Sequence, residues 1–237
     1  MSAPELAPVS VAVSDPSSPI VGAESRLGEM CGHLASIRSY AKGAFVYQQG
    51  ETSTRFYQLL SGRVRLLLGT PEGRERLLAI VEPGGLFGEA ACFDGLPYHT
   101  TAVTAEACAV RVFPREATLR AMGAEPAVTL EILRSITRKQ RLFALQLESA
   151  TFKRAPARVA FILSRLATYY GTPAAGGHAT RLALHLSHEV LANMIGVTRV
   201  TVTREIGALI RDGIITRDKR HLVVRQPERL LERAQLS

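Results

Sequence analysis

Behind a single glycine, Gly196, the sequence crowds side chains that can exchange hydrogen bonds or charge with a polyanion. Thr198, Arg199, Val200, Thr201, Thr203 and Arg204 follow it within eight positions. Ser187 is suited to cap one helix before the glycine and Thr198 another after it, because a hydroxyl accepts from the unpaired N–H groups of a first turn. Gly196 permits the tight bend between them, and the small Ala192 lets the two helices approach closely. Val197, Val202, Ile206 and Leu209 recur at helical spacing and supply the inner face of the second helix. Arg199, Val200, Thr201, Thr203 and Arg204 are left outward at its front. Guanidinium forks and hydroxyls at that place match the hydrogen-bonding edges of bases in a major groove. Residues 214–224 then read as strand, turn, strand, with Arg217, Lys219 and Arg220 near the tip, a wing able to touch phosphates. A plain pair of antiparallel helices is the alternative, and the cationic wing weighs against it.

Charge has the same address. Of 29 Lys and Arg and 21 Asp and Glu in 237 residues, 15 of each sign fall in residues 1–150. Residues 151–237 hold 14 basic against 6 acidic side chains, the whole of the net +8. A neutral body with a basic appendage is the layout expected of a sensor joined to a reader of double-stranded DNA. Hydrophobic residues at 46% support a packed core and exclude disorder of the whole chain. No apolar run reaches the roughly 20 residues of a membrane span, and residues 1–25 lack the pattern of a secretory signal. A soluble cytoplasmic protein with no membrane partner is expected. Cys31, Cys92 and Cys108 form no CxxC pair, which argues against a disulfide framework and against a four-cysteine zinc or iron–sulfur site.

The elements that must position these groups fall into four stretches. Residues 1–25 are rich in Pro, Ser and Ala and read as a flexible tail. Residues 26–125 break into short β-like runs at 44–47, 56–60, 63–68, 77–81, 101–103 and 109–113, with glycines at the corners. This predicts a closed antiparallel roll, or jelly roll, followed by a short helix over 116–122. Residues 126–153 form a long helix opened by Pro126. Within it Leu133, Ile136, Gln140, Phe143, Leu147 and Ala150 alternate at three and four, an a/d seam. Leu130, Ile132, Leu142 and Leu145 lie off the seam, so one face packs on the roll and another on a second copy. Dimerisation through Leu133, Ile136, Gln140, Phe143 and Leu147 is expected. Residues 154–237 hold a helix over 157–170, a loose segment to 177, a strand-like 180–186, and the helix-turn-helix at about 188–207. The fold class is α+β.

Three motif blocks are carried by this frame. They are Tyr40-Ala41-Lys42-Gly43 through Gln49-Gly50-Glu51, then Ser61-Gly62-Arg63-Val64 with Pro83-Gly84-Gly85-Leu86-Phe87-Gly88-Glu89, and the helix-turn-helix with Thr198-Arg199 and Arg204. Over about residues 28–235 the chain resembles the cyclic-AMP receptor protein / fumarate–nitrate reduction regulator (Crp/Fnr) superfamily of bacterial transcription regulators. The resemblance implies a cyclic-nucleotide-binding-like β-roll, a dimerisation helix and a winged helix-turn-helix. It implies a homodimer on an inverted-repeat operator, RNA polymerase as a partner if the protein activates, and no enzymatic activity.

In cyclic-nucleotide-binding members the turn matching Gly88, Glu89 and Ala90 cradles the ligand, with backbone N–H groups on the phosphate and the carboxylate on the ribose. An Arg followed by Ser or Thr then clamps the phosphate, and this chain has His99-Thr100 there. The hydroxylated pair that receives adenine falls on Phe143-Ala144, which cannot form those hydrogen bonds. The effector pocket is therefore expected at Gly88, Glu89, Ala90, His99, Thr100 and Phe143, its ligand a small molecule other than cyclic AMP. A cyclic-nucleotide-responsive regulator is the alternative. Tyr98, Phe87, Phe93 and Phe143 suit a small organic or aromatic effector, or simply a core, and action without an effector stays open. No cofactor is assigned: haem on His99 or Cys92 lacks an attachment motif, and a cupin-type metal enzyme lacks the two His and carboxylate that it needs. In the recognition helix the family commonly places Glu where Val200 stands. Glu accepts from cytosine N4, whereas Val offers methyl groups to thymine, so an A·T pair is expected there. In this Val200 resembles the branch that regulates reductive dehalogenation.

Overall fold

The computed structural model describes residues 20–21, 25–174, 179–182, 187–218 and 221–235. The chain runs β1 (Ile20–Val21), α1 (Leu27–Cys31), β2 (Ser36–Tyr40), β3 (Phe45–Tyr47), β4 (Arg55–Ser61), β5 (Val64–Gly69), β6 (Glu75–Val81), β7 (Leu86–Phe87), α2 (Glu89–Asp94), β8 (Thr101–Thr104), β9 (Cys108–Pro114) and α3 (Arg115–Ala124). The long α4 (Pro126–Phe152) leads to α5 (Ala155–Tyr170), β10 (Gly171–Pro173), β11 (Thr180–Leu182), α6 (His188–Ile195), α7 (Arg199–Arg211), β12 (Ile215–Asp218), β13 (His221–Val224) and α8 (Pro227–Gln235).

The expected roll is two sheets face to face, ordered β1-β6-β5-β8-β3 and β2-β9-β4-β7. Alternation along the strands drives them together: Leu59, Val64, Leu66, Val81, Ala102, Val110 and Val112 point inward and are almost wholly buried, while Phe56 and Phe113 pack on the other side against the helices. A third sheet, β10-β11-β13-β12, belongs to the C-terminal domain.

Three segments differ from the reading of the sequence. Ile20–Val21 lies within the stretch read as a flexible tail, yet pairs in parallel with Ile80–Val81 at the edge of the first sheet. Two residues cannot show a period, so the pairing is set by the waiting edge of β6. Gly171–Pro173, read as loose chain ending a helix, is a strand paired antiparallel with Thr180–Leu182. Pro173 is tolerated because β10 is an edge strand. The helix expected from 157 starts at Ala155 with Pro156 in its first turn, where the missing N–H costs nothing. Of the strand expected over 180–186 only β11 is described, and residues 183–186 lie outside the described residues.

The long helix links the two halves of the molecule. Ile132 and Leu142 are buried against the roll, and Gln146 Nε2 donates to the Leu78 carbonyl at 2.7 Å. At the break between α4 and α5, Arg158 donates from Nη2 to Ala150 O at 2.9 Å and from Nε to Lys153 O at 2.8 Å. These close carbonyls left open at the end of α4. Leu67, Leu77 and Ile80 of the roll share one hydrophobic core with Leu163, Leu191, Met194 and Ile206 of the C-terminal domain. The domain carrying the basic charge is therefore packed on the body.

Candidate functional site

The helix-turn-helix forms as its local signals require. Ser187 Oγ accepts from Val190 N at 3.2 Å and Thr198 Oγ1 from Thr201 N at 3.2 Å, capping α6 and α7. Gly196 has φ +68°, the left-handed conformation that ends α6 without strain only for glycine. Ala192, Val202, Ile206 and Leu209 are buried between the helices. Arg199, Val200, Thr203 and Arg204 are exposed and Thr201 half-exposed, so the outward residues expected from the sequence share the front of α7. Val200 is 76% exposed, an apolar side chain in water with no partner within the described chain. Arg204 donates from Nε to Glu205 Oε1 at 2.9 Å and its side chain remains 68% exposed. β12 and β13 pair from Ile215–Val224 to Asp218–His221, placing the wing beside α7. Lys219 and Arg220 lie outside the described residues. Arg217 does not: it reaches His188, at the start of α6.

The second candidate is a cavity of about 290 Å³ between the roll and α4. Gly88, Glu89, Ala90, His99, Thr100 and Phe143, dispersed over 56 positions of sequence, all line it. Gly88 has φ +78°, and a Cβ on it would meet Tyr47, Tyr57 and Tyr98 carbons at 3.1–3.2 Å, so glycine is required on both counts. Tyr47 stacks on Tyr98 with ring centroids 3.8 Å apart, and its hydroxyl bonds Thr100 Oγ1 at 3.2 Å. Burial raises the pKa of both phenols above the ordinary value, so they act as neutral hydrogen-bonding groups. His99 is exposed at the mouth while Thr100 is buried.

The residue that sequence reasoning missed is Lys139. Its ammonium is buried between α4 and α2, bonded to the Glu89 carboxylate and, at 2.8 Å, to the Leu86 carbonyl. Glu89 and Lys139 are 7% exposed in their side chains, so the pair is desolvated and each ion depends on the other. The signal in the sequence was weak: a lysine three residues after Ile136 and four before Phe143, on the face of α4 that both half-bury. Those two side chains pack toward the pocket and the roll. Leu133 and Leu147 instead stand 52% and 69% exposed, with Gln140 exposed between them. The seam read from the sequence is thus divided between two faces. Residues three apart on a helix differ by about 60° around its axis, so 136 and 143 fall on the inward side of 133, 140 and 147.

Among the described residues no group of three or more His, Cys, Asp or Glu is gathered as a metal site. Cys92 is buried, and burial pushes its thiol up to about 11, far from the thiolate that ligation needs.

A family model described as a cyclic nucleotide-binding domain matches residues 37–125, and one described as a Crp-like helix-turn-helix domain matches residues 157–233. The chain is 31% identical over 195 residues to the CRP-like cAMP-activated global transcriptional regulator of Mycobacterium tuberculosis, covering 82% of this chain and 86% of that protein. It is 34% identical over 184 residues to the regulatory protein CysR of Synechococcus elongatus, covering 76% and 81%. Among solved structures, that of OCPA-complexed CprK superposes with a TM-score of 0.74 at 20% identity over 91% of this chain and 100% of that one, a likeness of fold. No described helix is long and apolar enough to cross a membrane. The matched domains and relatives are regulators that bind DNA, not enzymes, as the helix-turn-helix and its charge led us to expect. The chain belongs to the Crp/Fnr superfamily of transcription regulators, with a cyclic nucleotide-binding domain and a Crp-like helix-turn-helix.

Proposed function

We propose that the protein is a cytoplasmic homodimer that binds an inverted-repeat operator, and that a small molecule other than cyclic AMP, held in the roll, shifts the two DNA-binding domains between arrangements. The observation that carries the effector reading is the state of Glu89. The carboxylate that would accept a ribose hydroxyl is already bound to Lys139. At the phosphate end stands the exposed His99 instead of a guanidinium fork. A cyclic nucleotide must share that carboxylate with a buried cation and finds no bidentate cation for its phosphate. The apolar and aromatic wall of Tyr47, Tyr98, Ile136 and Phe143 favours a ligand of that character. The second reading, a cyclic-nucleotide-responsive regulator, draws on the cAMP-activated relative from Mycobacterium tuberculosis. Calorimetry decides between them: cyclic AMP is expected to give no heat of binding at micromolar concentrations, and saturable binding with stimulated DNA binding overturns our reading.

Dimerisation is supported by the stripe of Leu130, Leu133, Ala144 and Leu147 that α4 leaves in water, at the spacing of a helix pair. RNA polymerase is a partner if the protein activates. The operator is tested by selecting bound sites from random DNA. We expect two half-sites related by two-fold symmetry with centres about one helical turn, ~10 bp, apart. At the pair facing Val200 we expect A·T, and a shift toward G·C with Val200→Glu. A wild type that already selects G·C there removes Val200 from specificity.

A further inference from the structure

A directed chain of hydrogen bonds joins the wing to the recognition helix. Arg217 Nη2 lies 3.2 Å from His188 Nε2. A guanidinium only donates, so Nε2 is the acceptor and carries no proton. The imidazole proton is then on Nδ1, which lies 2.8 Å from Thr203 Oγ1. Thr203 accepts it, because its own hydroxyl proton goes to the Arg199 carbonyl at 3.0 Å. From wing to α7 every donor has one acceptor, and the order holds for one tautomer of neutral His188 alone.

We infer that His188, held as the neutral Nδ1–H imidazole, is a positioning residue of the DNA interface: it fastens wing Arg217 to the front of α7, and its protonation releases the wing. The inference rests on the reading of α7 as the helix that meets the bases. A proton on Nε2 takes away the acceptor that Arg217 uses and sets an imidazolium against a guanidinium. The charged groups bearing on His188 are Arg217 from β12 and Arg199 from α7, both cations. On its own helix, the adjacent Glu189 is exposed and the Ser187 hydroxyl is engaged as the cap. Burial first, then Arg217 and Arg199, hold the pKa of His188 below the ordinary 6.5. Arg217 freed from His188 still attracts phosphate, since its charge is unchanged, but no longer sets the wing in register with the base-reading side chains. Acid should therefore lower discrimination between sequences while leaving general attraction to DNA intact.

The test uses the full-length protein and an operator obtained by the site selection described above, so that failure to select any site counts against the DNA reading and not against His188. Affinity for that operator and for a scrambled duplex is measured at fixed salt across the pH range in which histidine titrates. The ratio of the two is expected to fall about fivefold in the wild type on acidification, the worth of one hydrogen bond. It should be insensitive to pH in His188→Gln and low throughout in His188→Lys. Nitrogen NMR of the imidazoles should show His188 as Nδ1–H in the wild type, with the Nε2–H form gained in Arg217→Met, which removes the donor to Nε2. Should His188→Lys fail to fold, the Gln variant and the tautomer still decide. A ratio that does not change with pH in the wild type, an equal slope in His188→Gln, or an Nε2–H tautomer in the wild type overturns the inference.

Discussion

In the roll, Lys139 lies buried between two elements with its ammonium bound to Glu89 and to a carbonyl. In the winged domain, Arg199 and Arg204 stand exposed to water, the second paired with Glu205. Both regions rely on cations, and the surroundings give them opposite energetics. A buried ion is stable only while its partner stays, so a ligand acts there by rearranging contacts already made. An exposed guanidinium is solvated and contributes little to the fold, so its contact with a base or phosphate is available in full when DNA arrives. The cation in the pocket is held by its partners, whereas those at the front of α7 face solvent.

Three changes break or sharpen this contrast. The largest effect is expected from Leu133→Glu combined with Leu147→Glu, which puts two charges at the most exposed leucines of the α4 stripe. Sedimentation should show a monomer, with affinity for a two-fold operator lost while the thermal stability of the roll is retained. A dimer that persists places the interface elsewhere. Ile136 and Phe143 are unsuited to this test, because they half-bury against the pocket and a carboxylate there would damage the roll itself.

Next in size is Lys139→Met. It leaves the Glu89 carboxylate buried without its cation and should cost about 3–5 kcal/mol of stability by denaturant unfolding. Removing both ions with Lys139→Met and Glu89→Leu should recover most of that loss. If the single variant is as stable as the wild type, the pair is not the desolvated unit described here.

The smallest is Arg204→Ala, which should leave stability nearly unchanged and weaken binding to the selected operator by roughly 1–3 kcal/mol if the guanidinium meets a base edge. A uniform loss across all sequences, with a shallower salt dependence, would assign Arg204 to phosphate instead.

Acid adds a stability effect at His188. Its folded pKa lies below 6.5, so as pH falls through the unfolded value the unfolded chain takes up the proton first. This group contributes no penalty in the neutral range and an increasing one toward acid, which adds to the loss of discrimination without causing it.

The helix-turn-helix was legible because everything that makes it lies within 25 consecutive residues. Two hydroxyl caps, one left-handed glycine and an apolar period act over a single turn of helix, and the chain obeys them wherever it is placed. The strands of the roll were legible from alternation and glycine corners for the same reason. The tertiary structure alone decided which face of α4 turns inward, since a helix that is apolar on several sides carries no mark of what will cover each one. It alone brought Lys139 to Glu89 across 50 positions, and His188 to Thr203 and to Arg217 across 15 and 29. Lysine and histidine are ordinary surface residues by type. What gives these two a role is a partner at hydrogen-bond distance, with water excluded as well around Lys139, and both are properties of packing between segments remote in the chain.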